Sequence, residues 1–522
     1  MAEQGRPAAL AAIPALETAR LRLQARPWLA FALPAAGAAI LALIAALYYV
    51  RSPGILRPVF DDSYISLHFA RNLAEHGKLT FDGETWSTGA TSILHVASLA
   101  ALIRLGVDPF EASIYFGVAC HAALALAVYW LGWAVFRSLL AAAAASIVIA
   151  LTNYAAFDAG NGMETSLFMG LVAAALAAVL TLRSTRGRWL AGGIIALAVL
   201  ARPEGAFLLP AAAVYLWLDR GEGPLDIRRL ARDAAALTLP GVAVLALLSL
   251  FALAVTGELT PGTGTAKLAF FRDNTLALSR KLQLTGDFMG LFWGPLFPTL
   301  LIALAAPRRR EAMVLALFWV PLIAFYALMF PGGLSHYFYR YQHPVLPLLA
   351  VMAGGGVAYL AGEALRRGLA VKAIALAAIL VLVVPLWEHF QTWRILYRDA
   401  SFETLVDLES MARDLNTIVK PHETLATHDI GAVGYFADFK VLDLVGLVNP
   451  DVVPYHEERR VALYLNVARP DYLLVFPSWD FEFLHVYPGQ HPDRFELVKT
   501  YPGRNIRPDP YLLYRIRYPA GP

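Results

Sequence analysis

Two adjacent carboxylates, Asp61 and Asp62, stand in PVFDDSYISLHFARNLAEHGK, just beyond the first long hydrophobic segment of a chain that is otherwise mostly apolar. A carboxylate held at such a membrane mouth can act as general base on an attacking hydroxyl, while its neighbour caps a helix or orients an acceptor or a metal ion. Of the two, Asp61 is the favoured base, because Asp62 lies nearer the following helix. Three further sets of polar residues interrupt apolar sequence. Asp158 and Glu164, in YAAFDAGNGMETS, flank a Gly-Asn-Gly turn. They could be supporting carboxylates, ligands of a divalent cation together with Asp61, or, for Glu164, a helix cap. Arg202 and Glu204, in LARPEGAFLLP, could satisfy each other, or the arginine could meet a lipid phosphate. Lys267, in TPGTGTAKL, and His336, Tyr339 and Arg340, in GGLSHYFYRYQHP, offer cations and donors suited to a departing phosphate. An aromatic belt alone would explain some of those tyrosines.

The elements that must position these residues are membrane helices. The 522 residues are 58% hydrophobic and 16% charged, with a mean hydropathy of +0.54, whereas a soluble domain carries about a quarter charged residues. Apolar windows of about 20 residues recur from Leu29 to Leu386. The net charge of +3 is too small for a nucleic-acid partner, and the single Cys120 rules out an internal disulfide framework. Residues 1–28 read as a cytoplasmic tail leading into a retained first span, since no A-x-A cleavage pattern follows. From about Glu388 charged residues, turn signals and short strand-like runs take over, so 388–522 is expected to be a separate α/β domain on the far side of the membrane.

Loop charge sets the orientation. Segment 92–105 (SILHVASLAALIRL with its flanks) is short and carries His95 and Arg104. If it lies flat in the outer leaflet, 14 of the 20 Lys and Arg residues between 111 and 387 face the cytoplasm, as the positive-inside rule requires. This predicts about 11 transmembrane helices in 29–387, with a surface-lying helix over 62–76. It gathers 51–110, 155–163, 257–287 and 331–344 on the outer side, where the unusual polar residues concentrate. No GxxxxGK[ST] or GxGxxG element is present. A group-transfer enzyme facing outward therefore needs a membrane-borne activated donor.

The ordered segments FDDSYISLHFARNLAEHGKLTFDGETWSTGATSILH, NGMETSLF, ARPEGAFLLP, GELTPGTGTAKL, RYQHPVLPLL and THDIGAVGYFADFKVLDLVGLVNPD resemble the GT-C superfamily of lipid-linked-sugar glycosyltransferases. The likeness runs from about Asp61 to Pro450 and lies nearest the bacterial branch typified by the terminal arabinofuranosyltransferase of cell-wall arabinan. The resemblance implies a bacterial plasma-membrane enzyme with its catalytic aspartate, Asp61 or Asp62, in the first outer loop beside two juxtamembrane helices. It also implies a polyprenyl-phosphate sugar donor, a cell-envelope glycan acceptor and inversion at the anomeric carbon. Two departures bear on sugar choice: His95 stands in STGATSILH where the family pattern has an aromatic residue, and TPGTGTAK lacks the asparagine common in that motif.

Residues alone establish an outward-facing acidic and basic site; transfer of arabinofuranose or another pentose or hexose comes from the resemblance. A polytopic lipid transporter or flippase is the alternative, but such proteins usually show internal repeats with matching broken helices, and none is evident. A lipid-binding scaffold without catalysis would have little use for the Asp61–Asp62 pair. In the C-terminal region His428-Asp429 reads as a turn and cap, or as a contact to the acceptor glycan.

Overall fold

A computed structural model of the chain describes residues 27–220, 226–272, 275–293, 299, 309–331, 335–366 and 368–519. The expected tail over 1–26 and most of the apolar stretch 288–306 lie outside the described residues. The membrane part opens with α1 (Pro27–Val50). Two shorter helices follow, α2 (Asp61–His76) and α3 (Ile93–Arg104). The bundle continues with α4 (Pro109–Phe136), α5 (Leu139–Leu151), α6 (Asn153–Gly160), α7 (Thr165–Thr181), α8 (Thr185–Ala201) and α9 (Leu208–Asp219). It is completed by α10 (Ile227–Thr256), α11 (Gly262–Phe270), α12 (Leu278–Trp293), α13 (Arg309–Met329), α14 (Leu346–Leu365) and α15 (Leu369–Glu403).

Among the described residues five helices are long and apolar enough to cross a bilayer, or six if α5 and α6, bent by 58°, form one broken span. This is fewer than the 11 expected from hydropathy. Several apolar segments fold as helices such as α7, whose 17 residues rise only about 26 Å, short of a hydrocarbon core of about 30 Å. Helix α3 has 12 residues, a rise of about 18 Å.

A helix covers the stretch expected over 62–76, and much of its surface is buried against protein. In α2, Ser63, Tyr64, Leu67, Phe69 and Ala70 are essentially inaccessible, and the fully exposed residues, Glu75 and His76, lie in the last turn. One side packs on α3 and the other on the C-terminal domain, so an amphipathic pattern has found two protein partners rather than a lipid surface. Tyr64, Leu67 and Phe69 share a cluster with Leu408, Met411, Val433, Tyr435 and Leu513. Each such side chain stabilises the docking by about 1.5–3 kcal/mol on full burial. Gly77 ends the helix in the left-handed region at φ 71°, returning its amide to the Leu73 carbonyl.

The domain boundary expected at 388 falls inside the 35-residue α15, which continues through residues 404–409 into α16 (Ser410–Ile418). Beyond it a five-stranded sheet has the order β2-β1-β3-β5-β4, from β1 (Thr424–Thr427), β2 (Lys440–Asp443), β3 (Tyr472–Val475), β4 (Phe495–Tyr501) and β5 (Tyr511–Ile516). Strands β1, β2 and β3 run parallel, and β5 joins antiparallel to β3 and β4. Between β1 and β2, α17 (Gly431–Phe436) provides the crossover that a parallel pair requires. The strand, Gly-rich turn, helix and strand read from ETLATHDIGAVGYFADFKVLD are all present.

Candidate active site

Asp61 and Asp62 begin the same helix and face opposite ways. Neither caps it: the preceding Phe60 is the N-cap residue, and no side chain closes that end. Asp61 is buried and turns to the C-terminal domain, where its two oxygens accept the amides of Gly431 at 2.7 Å and Ala432 at 2.8 Å. It thus caps α17 from across the fold, satisfying donors that a helix start leaves open. Burial and the charge of Asp429 raise Asp61 well above the ordinary carboxylate range, against the pull of those amides.

Asp62 turns the other way, into a polar cleft of about 510 Å³. Its carboxylate accepts Arg340 Nη2 at 2.6 Å, and about a quarter of the side chain remains accessible. Burial opposes its charge, but Arg340 and Lys267, with His336 within electrostatic reach, hold it down to about 2. A buried Arg340 is fixed by more than this pair. Its Nη1 reaches Met163 Sδ at 3.1 Å, and its guanidinium lies between the Tyr337 and Tyr341 rings at 4.8 and 5.0 Å. Its Nε is shielded and has no hydrogen-bond partner. Lys267 also lines the cleft and contacts the Tyr341 hydroxyl at 3.5 Å.

The turn before Arg340 is unusual. Tyr337, Phe338 and Tyr339 all have left-handed backbones, with φ of 43°, 58° and 66°. For non-glycine residues this costs roughly 1–2 kcal/mol each, so the turn must be held from outside. Asp158 does part of this: it accepts His343 Nδ1 at 2.6 Å, while His343 Nε2 meets the Phe338 carbonyl at 2.8 Å. Asp158 also accepts Asn161 Nδ2 at 2.9 Å. The Gly162 turn beyond it, at φ 84°, presses on Pro58, Ser63 and Ser113 without room for a side chain.

Other candidates take different places. Glu164 lines the cleft but is engaged by Arg202 Nη1 at 2.5 Å. Arg202 spends its remaining nitrogens on both oxygens of Glu204, at 2.6 and 3.3 Å, and Glu204 also accepts the Tyr326 hydroxyl. Arg202 is therefore committed to two carboxylates, in a set that is net negative, and is not a free phosphate ligand. Tyr339 faces away, towards Phe288 and the bundle core, since its left-handed backbone reverses the side chain relative to Arg340. His336 lies against the Tyr337 ring at 3.9 Å and does not line the cleft. No group of three or more His, Cys, Asp or Glu among the described residues could hold a metal ion, and Asp61, Asp158 and Glu164 each serve other partners. Asp429 accepts the Tyr511 hydroxyl at 2.7 Å and His428 Nε2 accepts the Phe476 amide at 3.0 Å, so both are internal ties of the C-terminal domain.

Every one of the ordered sequence segments meets at this cleft: Asp62, Gly89–Ser92, Met163–Glu164, Arg202, Thr263 with Lys267, Arg340, and Leu447 from the C-terminal domain. An apolar pocket framed by Ile93, Leu248 and Phe251 shares Ala90, Thr91 and Thr263 with it. Over 92% of this chain and 98% of its own, the structure is similar to ArnT from Cupriavidus metallidurans bound to undecaprenyl phosphate, with a TM-score of 0.60 at 15% identity. It is also similar to the archaeal oligosaccharyltransferase AglB from Archaeoglobus fulgidus, in complex with an inhibitory peptide and a dolichol-phosphate. There the TM-score is 0.53 at 14% identity, over 84% of this chain and 69% of that one. The chain has the GT-C fold. Within this GT-C chain a domain of unknown function, DUF8728, matches residues 393–514, the end of α15 and the sheet domain. A search of curated proteins finds no match.

Sequence reasoning missed Tyr341, Met163 and Gly431 as parts of the GT-C site. Tyr341 and Met163 sat inside segments already singled out. The signal for Gly431 was the glycine two residues after His428-Asp429 and its neighbours in a strand-to-helix turn.

Proposed function

We propose that the protein is an inverting membrane glycosyltransferase that moves a sugar from a polyprenyl-phosphate donor to a hydroxyl of a cell-envelope glycan. The carrying observation is the Asp62–Arg340 pair at 2.6 Å, at the head of a cleft that also holds Lys267 and opens onto an apolar pocket. A lipid phosphate needs cations beside an apolar path, and a hydroxyl acceptor needs a base; here both sets of groups adjoin. The undecaprenyl phosphate of the ArnT structure and the dolichol-phosphate of the AglB structure support a lipid-phosphate ligand. The site would face the outer side of a bacterial plasma membrane, where the C-terminal domain also lies.

In this reading the donor phosphate takes Arg340 and Lys267, using the unpartnered Arg340 Nε among its donors. Asp62 loses its closest cation, and its proton affinity rises towards that of an ordinary carboxylate. The acceptor oxygen attacks the anomeric carbon from the face opposite the phosphate and passes its proton to Asp62. The bond from the anomeric carbon to the phosphate oxygen breaks, and the new negative charge on the polyprenyl phosphate falls to Arg340 and Lys267. Asp61 supports the reaction by fixing the start of α2. The sugar is arabinofuranose or another pentose or hexose.

Membranes carrying the wild type or Asp62→Asn would be given labelled polyprenyl-phosphate pentoses and hexoses with envelope glycan acceptors. The expected result is transfer from one of these donors by the wild type and none by the variant. Undiminished transfer by Asp62→Asn would remove Asp62 as base, and no transfer from any donor would remove the reaction class.

A further inference from the structure

The hairpin side of the C-terminal domain carries a second, larger cleft of about 780 Å³, between residues 406–414 and the connection of β4 to β5. The transfer chemistry above makes no use of it. Two of its lining residues each keep one polar atom that is shielded from water and has no hydrogen-bond partner among the described residues, Arg507 Nη1 and Asp407 Oδ2. The rest of each group is firmly held. Arg507 Nη2 donates to the Val59 carbonyl at 2.7 Å and to Thr404 Oγ1 at 3.3 Å, and Asp407 Oδ1 accepts Arg504 Nε at 2.7 Å. An unmet buried polar atom costs about 1–3 kcal/mol, so two in one cleft are a standing bias towards a ligand offering both an acceptor and a donor.

The charge of the cleft narrows the ligand class. Asp407, Asp414 and Asp509 are matched by Lys499, Arg504 and Arg507, so the lining is neutral overall. Asp414 is already satisfied by Lys499 at 2.7 Å and the Tyr501 hydroxyl at 2.6 Å, and Asp509 by Ser478. A phosphate or an acidic peptide would gain one attraction and meet one repulsion here. A neutral molecule dense in hydroxyls can pair with both signs. Tyr501 and Met411 add flat apolar surface among these groups, as the C–H faces of sugar rings require.

The cleft is also pre-formed. The Arg504 amide donates to the Arg507 carbonyl at 2.7 Å and the Ile506 amide to Glu403 Oε2 at 2.9 Å. A Cβ on Gly503 would meet the Pro508 carbonyl oxygen at 2.2 Å, so the loop closes on itself at a glycine. Little ordering cost is left for binding. Moreover, its lining residue Arg507 grips Val59, two residues before Asp61, and its Tyr511 donates to Asp429, whose charge acts on Asp61.

We propose that this cleft is a second saccharide site, binding a neutral glycan segment through Arg507, Asp407 and the Tyr501 ring. Its assignment to the acceptor chain rests on the glycosyltransferase reading; its preference for neutral sugar does not. The test uses the full chain in lipid nanodiscs carrying Asp62→Asn, so that no turnover intervenes. Saturation-transfer NMR would measure binding of neutral arabinose and mannose tetrasaccharides, a glucuronate-containing tetrasaccharide and inorganic phosphate. Ser410→Trp and Thr500→Trp, both at exposed positions on the cleft rim, would fill it without disturbing buried groups. The expected result is binding of a neutral tetrasaccharide, weakened at least tenfold by each tryptophan and by Asp407→Ala, with the other two probes binding more weakly. No neutral tetrasaccharide binding, binding unchanged by all three substitutions, or displacement of the sugar by phosphate would each overturn the proposal. Binding that persists when the Asp62-competent protein shows no transfer would count against the reaction, not against the cleft.

Discussion

The carboxylate of Asp61 closes on the amide of Gly431 at 2.7 Å, although 370 residues separate the two in the chain. The contact leaves no room for a side chain, since a Cβ on Gly431 would lie 1.9 Å from the Asp61 carbonyl oxygen and 2.7 Å from its carboxylate. The C-terminal domain is thereby part of the frame of the Asp62 cleft, to which it also contributes Leu447. Gly431→Ala is therefore expected to push α17 off the start of α2. Overpacking of this kind costs about 1–3 kcal/mol, so a lower thermal midpoint in detergent should accompany weaker transfer. An unchanged midpoint would show that the contact is not closed in the folded protein.

The two aspartates should respond differently to the same substitution. Asp61→Asn turns one amide hydrogen-bond acceptor into a donor facing another donor, at a cost of about 1–3 kcal/mol. Its main signature should be lost stability. Asp62→Asn keeps an oxygen for Arg340 but leaves that buried cation without a counter-charge and removes the base. A stability loss of about 1–3 kcal/mol should therefore accompany a fall in transfer of at least 100-fold, a far larger loss of transfer than in Asp61→Asn. Calorimetry and single-turnover assays on both variants check the division of roles; the reverse pattern would exchange them.

Removing either cation tests the phosphate site. Arg340→Met leaves Asp62 without its closest partner, costing about 1–3 kcal/mol, less than the roughly 3–5 kcal/mol of breaking a fully buried pair because a quarter of Asp62 meets water. It should also reduce turnover by about 10²–10³. Lys267→Met removes a cation that makes no close ion pair among the described residues and acts on Asp62 only at longer range, so the expected change is weaker donor binding with a smaller stability loss than in Arg340→Met. Equal stability losses in both variants would contradict this.

Acid should affect the free enzyme and its donor complex at different pH. With Arg340 and Lys267 nearby, Asp62 titrates at about 2, below the value of about 3.9 for an unfolded chain. A depressed carboxylate contributes stability fully above the unfolded value and loses it as pH falls through the folded one. Unfolding of the wild type should thus weaken from about pH 4 down to 2 more steeply than that of Asp62→Asn. In catalysis, kcat/KM reports the free enzyme and kcat the complex. Because donor phosphate draws Arg340 away, the acid limb of kcat should lie at higher pH than that of kcat/KM. Coincident limbs would argue against the handover.

Much of this protein is legible in local pattern. Long apolar runs specify membrane helices, and short apolar runs such as YLLV and YLLYRI specify strands, because both depend on neighbours a few residues away. The order of short polar segments likewise named the stretches that converge on the cleft, including Asp62, Lys267 and Arg340. What pattern could not supply was the choice of partner through space. Asp61 looked the better base because Asp62 stood nearer a helix to cap, yet Asp61 caps α17 and Asp62 meets Arg340. Local pattern left Arg202 open between Glu204 and a phosphate, and in the fold Glu204 and Glu164 both hold it. Tyr339 shares a segment with Arg340, but three left-handed residues turn it into the bundle core. These outcomes depend on which groups lie within contact of each side chain, at separations along the chain from 2 to 370 residues, and that is decided by packing.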